Sequence, residues 1–245
     1  MRISVITVAY NSEKSIRRTI ESMLAQTYSD IEYWIIDGKS KDKTVEIAES
    51  YRTAMEERGV EYHIVSEPDG GIYDAMNKGI AKACGDIIGL LNSDDTYEQD
   101  ALQTVADTFA QQKCDLMYAN IRMHKVDGSS FVKKAKLGRY ETSRHWNHPT
   151  TFVRAELYKA NPFRNLGIHD DYGFFLQMKK QGRKIVIVDK VLANFQMGGA
   201  SNHKDLRAAQ KRIMDRYKYC YRINGYSRLY MLECVAIEAA KLLLG

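Results

Sequence analysis

From Ile3 to Asp95 the chain alternates short apolar runs with segments of helical spacing, and each run stops at polar residues. The runs are Ile3–Val8, Ile31–Ile36, Val60–Val65 and Asp86–Leu91, continuous enough to be strands covered on both faces. Between them, Ile16, Ile20, Met23 and Leu24 fall on one side of a helix that Asn11 or Ser12 can cap. A second helix is expected over about Asp42–Arg58, with Ser40 or Asp42 at its start, and a third over Tyr73–Ala83 after the turn Pro68-Asp69-Gly70-Gly71. Strands alternating with helices predict βαβ units, right-handed crossovers and a parallel sheet. Ligands of such sheets bind beyond the carboxyl ends of the strands. Tyr10-Asn11, Asp37-Gly38-Lys39 and Asn92-Ser93-Asp94-Asp95 all stand at such ends and are expected to converge on one cleft.

The second half is less regular. Asp115–Met123, Ser130–Lys136 and Lys184–Val188 read as strands, Arg154–Ala160 and Tyr172–Gln181 as helices, and His203–Tyr219 and Tyr226–Leu244 as a helical tail. No internal repeat is found. The expected fold class is therefore α/β: a single Rossmann-like, open, mostly parallel sheet flanked by helices, with a helical C-terminal extension.

Composition excludes several classes. No apolar run reaches the roughly 18–20 residues of a membrane span, and the first strand lacks a cleavage signal, so a cytoplasmic location is expected. Cys84, Cys114, Cys220 and Cys234 have no paired spacing and are read as reduced thiols, not disulfides or zinc ligands. The formal charge of +5 is mild. Its basic residues, Lys133, Lys134, Lys136 and Arg139 and then Lys204, Arg207, Lys211, Arg212, Arg216 and Lys218, read first as solvated faces. No nucleic-acid-binding module is present, so a nucleic-acid partner is not expected.

Three constellations carry chemistry. In Asn92-Ser93-Asp94-Asp95 two adjacent carboxylates repel each other unless a cation or donors neutralise them, and hard oxygen ligands suit magnesium or manganese. An Asx turn capping the next helix is the competing explanation. Asp37, at a strand end, can accept from the N–H of a base or from ribose hydroxyls. Asp170 and Asp171 precede a helix, where capping and the helix dipole explain acids without chemistry. His145, His148 and His203 could add a metal or phosphate contact, His148 and His203 the better placed, and Gly198-Gly199 could approach a phosphate. Trp146 and Tyr73 suit stacking on a sugar or base as well as packing.

Val5-Ile6-Thr7-Val8-Ala9-Tyr10-Asn11, Ile36-Asp37-Gly38-Lys39-Ser40-Lys41-Asp42-Lys43-Thr44, Asp69–Gly79 and Asn92-Ser93-Asp94-Asp95 occur in order, and His169-Asp170-Asp171 follows. Together they resemble the family 2 glycosyltransferases of GT-A fold, the inverting, bacterial surface-glycan type. The resemblance implies a nucleotide-sugar-binding half over 1–112, an acceptor-binding half over 113–202 and a helical extension over 203–245. It implies that Thr7, Ala9, Asn11, Asp37, Asn92 and Ser93 serve the nucleotide. Asp94 or Asp95 would hold Mn2+ or Mg2+. Asp171, with Asp170 as the alternative, would be the general base. The Asn at position 92 departs from the family's acid and implies a neutral hydrogen bond there. The implied partners are a nucleoside-diphosphate sugar, UDP-linked by preference, and a glycan or polyprenyl-diphosphate-linked acceptor. The apolar tail helix suits core packing or a homodimer contact, and secondly shallow attachment at the inner face of the plasma membrane. The rival reading is a nucleotide-sugar-binding protein without transferase activity. A nucleotidyltransferase is rejected, because Tyr10-Asn11-Ser12-Glu13-Lys14 is not the Gly-rich loop that a triphosphate needs.

Overall fold

The computed structural model describes residues 1–138, 140–198 and 206–244, the side chains of 241–244 excepted. His203, Lys204, Gly199 and Arg139, singled out above, lie outside the described residues.

Four parallel strands build the first half of the sheet: β1 (Ile3–Ala9), β2 (Ile31–Asp37), β3 (Glu61–Ser66) and β4 (Ile87–Asn92). They are joined through α1 (Ile16–Leu24), α2 (Thr44–Glu49), α3 (Arg52–Glu57) and α4 (Ile72–Lys82). Then come β5 (Thr96–Tyr97), α5 (Ala101–Gln112), β6 (Leu116–His124), β7 (Ser130–Lys133), β8 (Phe152–Arg154), α6 (Ala155–Ala160), α7 (Asp170–Lys180) and β9 (Ile185–Gln196). Among the described residues the sheet has nine strands, in the order β3-β2-β1-β4-β8-β6-β9-β5, with β7 paired to β6. The α/β architecture with a mainly parallel sheet is as expected.

Alternation along β1 explains the two-sided core. Ile3, Val5 and Ala9 face Ile16 and Ile20 of α1, while Ile6 and Val8 face Tyr73, Met76 and Ile80 of α4. Each fully buried aliphatic side chain contributes about 1.5–3 kcal/mol against solvent exposure, so neither face can be left open. β8 runs antiparallel to both β4 and β6, and Gly89 of β4 stands opposite Phe152. A Cβ at Gly89 would lie 2.3 Å from Phe152 Cε1. Gly89→Ala should therefore cost about 1–3 kcal/mol by overpacking. At about 2–4 °C per kcal/mol for a chain of this size, calorimetry will register a clear fall in melting temperature; an unchanged value contradicts the packing described.

Three details differ from the expectations. The single helix over 42–58 is two, because Tyr51 forms a tight turn between α2 and α3 and ties its hydroxyl to Glu21 of α1. β9 continues well past Val188, pairing with β6 and turning its end to β5. The tail is α8 (Leu206–Asp215), a π-helical segment over Arg216–Arg222, and α9 (Tyr230–Leu244). This extension packs on α7 at Gly173, where a Cβ would come 3.2 Å from the Tyr219 carbonyl, and Asn224 donates to the Gly173 carbonyl. Among the described residues no helix is long and apolar enough to cross a membrane. Cys84 is exposed, and Cys114, Cys220 and Cys234 are buried thiols without a disulfide.

Candidate active site

The carboxyl ends of β1 and β4, the start of α4, the start of α7 and the tail extension enclose a cavity of about 1500 Å³. Of the residues expected at a site, Ala9, Asn11, Asn92, Ser93, Asp94 and Asp171 line it. Thr7, Asp37, Asp95 and Asp170 do not line it, each for a local reason.

Thr7 lies on the α1 face of β1, fully buried, and its hydroxyl accepts from Tyr33. Asp37 is also fully buried. Its carboxylate accepts from the Ser40 N–H, the Ser40 hydroxyl and the Ser66 hydroxyl, and so organises the loop after β2. Asn11 has φ of 49°, in the left-handed region that Asn tolerates. Its N–H donates to Ser40 Oγ and its side-chain carbonyl accepts from the Lys41 N–H, locking the ends of β1 and β2 together. Ser93 Oγ meets Ser12 Oγ at 2.8 Å, which ties the ends of β1 and β4. Ser40 therefore braces the loop and does not cap α2; Asp42 bonds the Thr44 N–H instead.

The two acids after β4 have separate environments. Asp95 is fully buried; one carboxylate oxygen accepts from the Gln196 N–H and the other has no partner among the described residues. Burial, and then the neighbouring charge of Asp94, hold its carboxyl well above the usual range. Asp94 faces the cavity, and burial raises it too, offset in part by its own backbone and by the charge of Arg18. The buried Asn92 side-chain carbonyl at the same wall accepts no hydrogen bond from the described residues. A desolvated carboxylate and an unfilled amide oxygen, both hard donors on one cavity wall, fit a divalent cation. Among the described residues a second grouping of metal-ligating types, Glu32, Glu61 and His63, lies at the opposite, amino-terminal end of the strands. There Arg2 already bonds Glu61, so that grouping does not serve the cavity.

At the other wall α7 begins with both acids, and its geometry separates them. Asp170 turns away and accepts from the Leu166 and Gly167 N–H groups at 2.9 and 3.1 Å, a loop anchor raised by burial. Asp171 faces the cavity. Its Oδ1 accepts from the Tyr73 hydroxyl at 2.9 Å and its own helix's Tyr172 N–H at 2.8 Å. Its Oδ2 is 2.9 Å from His148 Nδ1, which must carry the proton to donate. Burial pushes Asp171 upward, but the hydrogen bonds and charges of His148, His169 and Tyr73 outweigh it and hold the carboxyl below the usual range.

Tyr73 and Trp146 are packed rather than presented as stacking platforms: Tyr73 is 4% exposed and Trp146 6%. Trp146 lies among His148, Tyr172 and Phe175 and so fixes the His148 ring from behind. His148 was legible as a histidine on an ordered loop beside a tryptophan. The role of Tyr73, ninety-eight residues from Asp171, left no local signal.

The sequence model described as Glycosyl transferase family 2 matches residues 4–181. An uncharacterised glycosyltransferase of Mycobacterium tuberculosis strain H37Rv is 45% identical over 96 residues, 39% of this chain and 34% of the relative, so the chain matches about a third of that protein's length. The crystal structure of S. aureus TarS 1-349 in complex with UDP-GlcNAc superposes with a TM-score of 0.63 at 19% identity, covering 98% of this chain and 72% of that 1-349 chain. The mannosyltransferase PcManGT from Pyrobaculum calidifontis, in complex with GDP-Man and Mn2+, gives 0.70 at 15% identity, covering 100% and 70%. The fold is that of these GT-A glycosyltransferases.

Proposed function

The chain belongs to glycosyl transferase family 2, and from that premise we propose that it is an inverting transferase moving a sugar from a nucleoside diphosphate to an acceptor hydroxyl. The observation that carries this reading is the pair of opposed carboxylates on one cavity: Asp94 with Asn92 at the end of β4, and Asp171 braced by His148 and Tyr73 at the start of α7.

Asp171 is the proposed general base. Its Oδ1 already accepts two hydrogen bonds, whereas Oδ2 accepts one and keeps a lone pair for the acceptor's proton. As that proton leaves, the acceptor oxygen attacks the anomeric carbon from the face opposite the nucleoside diphosphate. The carbon–oxygen bond to the diphosphate breaks in the same displacement, and the anomeric configuration inverts. Asp94 and the Asn92 carbonyl would hold Mn2+ or Mg2+, which when bound neutralises charge on a departing diphosphate. Asn11, Ser93 and the Ala9 backbone line the donor side of the cavity. Thr7 and Asp37 act behind that wall, by fixing β1 and the loop after β2. UDP is the preferred donor nucleotide; the complexes of TarS with UDP-GlcNAc and of PcManGT with GDP-Man make UDP and GDP the first two to compare.

The acceptor is proposed to be a glycan or polyprenyl-diphosphate-linked sugar of the cell envelope. Support comes from α9, which presents an uncharged exposed stripe of Leu232, Val235, Ala236 and Ala239, suited to a bilayer surface or a second copy of the chain. Calorimetric titration of UDP and GDP, each with and without manganese, tests the donor site. Binding strengthened by manganese supports it; no binding of either nucleotide under both conditions overturns it.

The Asp171 environment also fixes a pH dependence. Its folded pKa is depressed, so it ionises below the usual carboxylate range. Its stabilising contribution is present above the unfolded pKa and is lost as pH falls through the folded value. The acid limb of the kcat/KM profile should follow the same ionisation. His148→Leu removes the largest lowering influence and leaves burial unopposed on that side, so the acid limb should move to higher pH. A profile superimposable on wild type would show that His148 does not tune the base.

A further inference from the structure

Arg216, at the start of the π-helical segment, is 2% exposed yet lines the cavity. One guanidinium nitrogen, Nη2, donates to His169 Nε2 at 3.1 Å and to Glu238 Oε1 at 3.3 Å. Nε and Nη1 are buried and donate to nothing among the described residues. Glu238 is already shared: Arg212 Nε bonds its other oxygen at 2.7 Å. Among the described residues two buried guanidiniums therefore meet one carboxylate, leaving an excess positive charge at this cluster and three unfilled N–H donors. Guanidinium cannot shed its proton, and burying a charge without a partner is costly, so the arrangement asks for an anion from the cavity.

The position says which anion. His169, which accepts from Arg216, is the residue immediately before α7 and lies close enough to Asp171 to act on its charge. Arg216 thus reaches the cavity beside the base, one imidazole away. In an inverting displacement the base sits with the incoming hydroxyl, on the face opposite the departing diphosphate. A cation on the base's side therefore addresses the acceptor, while Asp94 and Asn92 address the donor. Resting on the transferase reading above, we propose that Arg216 is an anion-binding residue for the acceptor, and that the acceptor carries a phosphate, diphosphate or carboxylate near the hydroxyl that is glycosylated. The C-terminal extension then has a binding role: α8, the π-helical segment and α9 hold Arg216 at the cavity, and Glu238 sets its orientation. A guanidinium matches such oxyanions by charge-assisted hydrogen bonds that a lysine reproduces only as a point charge.

The test uses inorganic phosphate as the probe. The Arg216 Nε–H resonance, identified by its absence from Arg216→Lys, is followed as phosphate is added at constant ionic strength, with chloride as control. The titration is run on the protein alone and on the protein preloaded with UDP and manganese. The expected result is a phosphate-dependent shift in both states, with phosphate affinity at least about 10-fold weaker in Arg216→Lys, the equivalent of one charge-assisted hydrogen bond. Wild type alone suffices for the first arm, so poor folding of the variant does not blunt the test. No shift with phosphate overturns the proposal. A shift with UDP, and none with phosphate once UDP is bound, also overturns it by assigning Arg216 to the donor's diphosphate. Failure of UDP to bind at all counts against the nucleotide site alone, because the phosphate arm on the unloaded protein still reports on Arg216.

Discussion

Asp171→Asn is expected to lower kcat for sugar transfer by about 10²–10⁴-fold while leaving nucleotide binding intact. The size of the loss follows from what the substitution keeps. Asparagine has the same shape, and its carbonyl can still accept from the Tyr73 hydroxyl and the Tyr172 N–H. Its amide, however, meets the His148 Nδ1–H donor, and the imidazole can respond by moving its proton to Nε2, which is buried and has no partner among the described residues. The pocket therefore survives with its geometry nearly unchanged, and the group able to take a proton at neutral pH is gone. Transfer rates with saturating donor, together with UDP calorimetry on the same preparation, separate the two quantities. Activity within about tenfold of wild type would exclude Asp171 as the base, since general-base catalysis contributes at least about 10²-fold. Asp170→Asn provides the contrast. That carboxylate holds the Leu166–Gly167 backbone away from the cavity, so its loss should appear first in stability.

The difference between these neighbours shows how far residues alone carry the reading. The strands of the first half were legible because each is buried on both faces, which leaves near-continuous apolar runs. Their polar ends converge because parallel strands put all carboxyl ends on one side. Side-chain direction at those ends was not legible. Asp37 ends β2 and Asp94 follows the end of β4 by two residues, but the first is drawn inward by Ser40 and Ser66 and the second opens on the cavity. Asp171 and Asp170 could not be separated from sequence, because one residue turns a helical side chain by about 100° and the direction of entry depends on the preceding loop. The second half resisted for a different reason. β8 is three residues long and is held by neighbours distant in sequence, and the π-helical segment has no periodic signature. Arg216 stands in a basic run that suits a solvated helix face, whereas Arg212 and Arg216 both lie inside on Glu238. A sequence records the charge of a residue; which side of its helix meets the core is settled by what packs there.

The pair after β4 offers a second large contrast. Asp94→Asn is expected to abolish most of the manganese-dependent gain in UDP affinity, a loss of at least about 10–100-fold given that even outer-shell changes at metal sites cost that much. Asp95→Asn is expected to leave the gain in place. The reason lies in where each carboxylate points: Asp94 lines the cavity, while Asp95 accepts from Gln196 in the interior beneath it. Both carboxyls are raised by burial, Asp95 the more so. A raised folded pKa means that the native state holds its proton over a pH range in which the unfolded chain has lost it. Stability therefore falls as pH rises from the unfolded value toward the folded one. Removing either ionisable group should relieve that burden at neutral pH, so both variants are expected to melt at or above the wild-type temperature. A metal-binding loss accompanied by unchanged or increased stability is the signature of a carboxylate retained for its ligand against the interest of the fold. If Asp95→Asn also erases the manganese effect, the inner acid takes part in cation binding and the loop after β4 must reorganise when nucleotide binds. If Asp94→Asn leaves the effect intact, the cation is held elsewhere and the assignment of Asn92 and Asp94 to it fails.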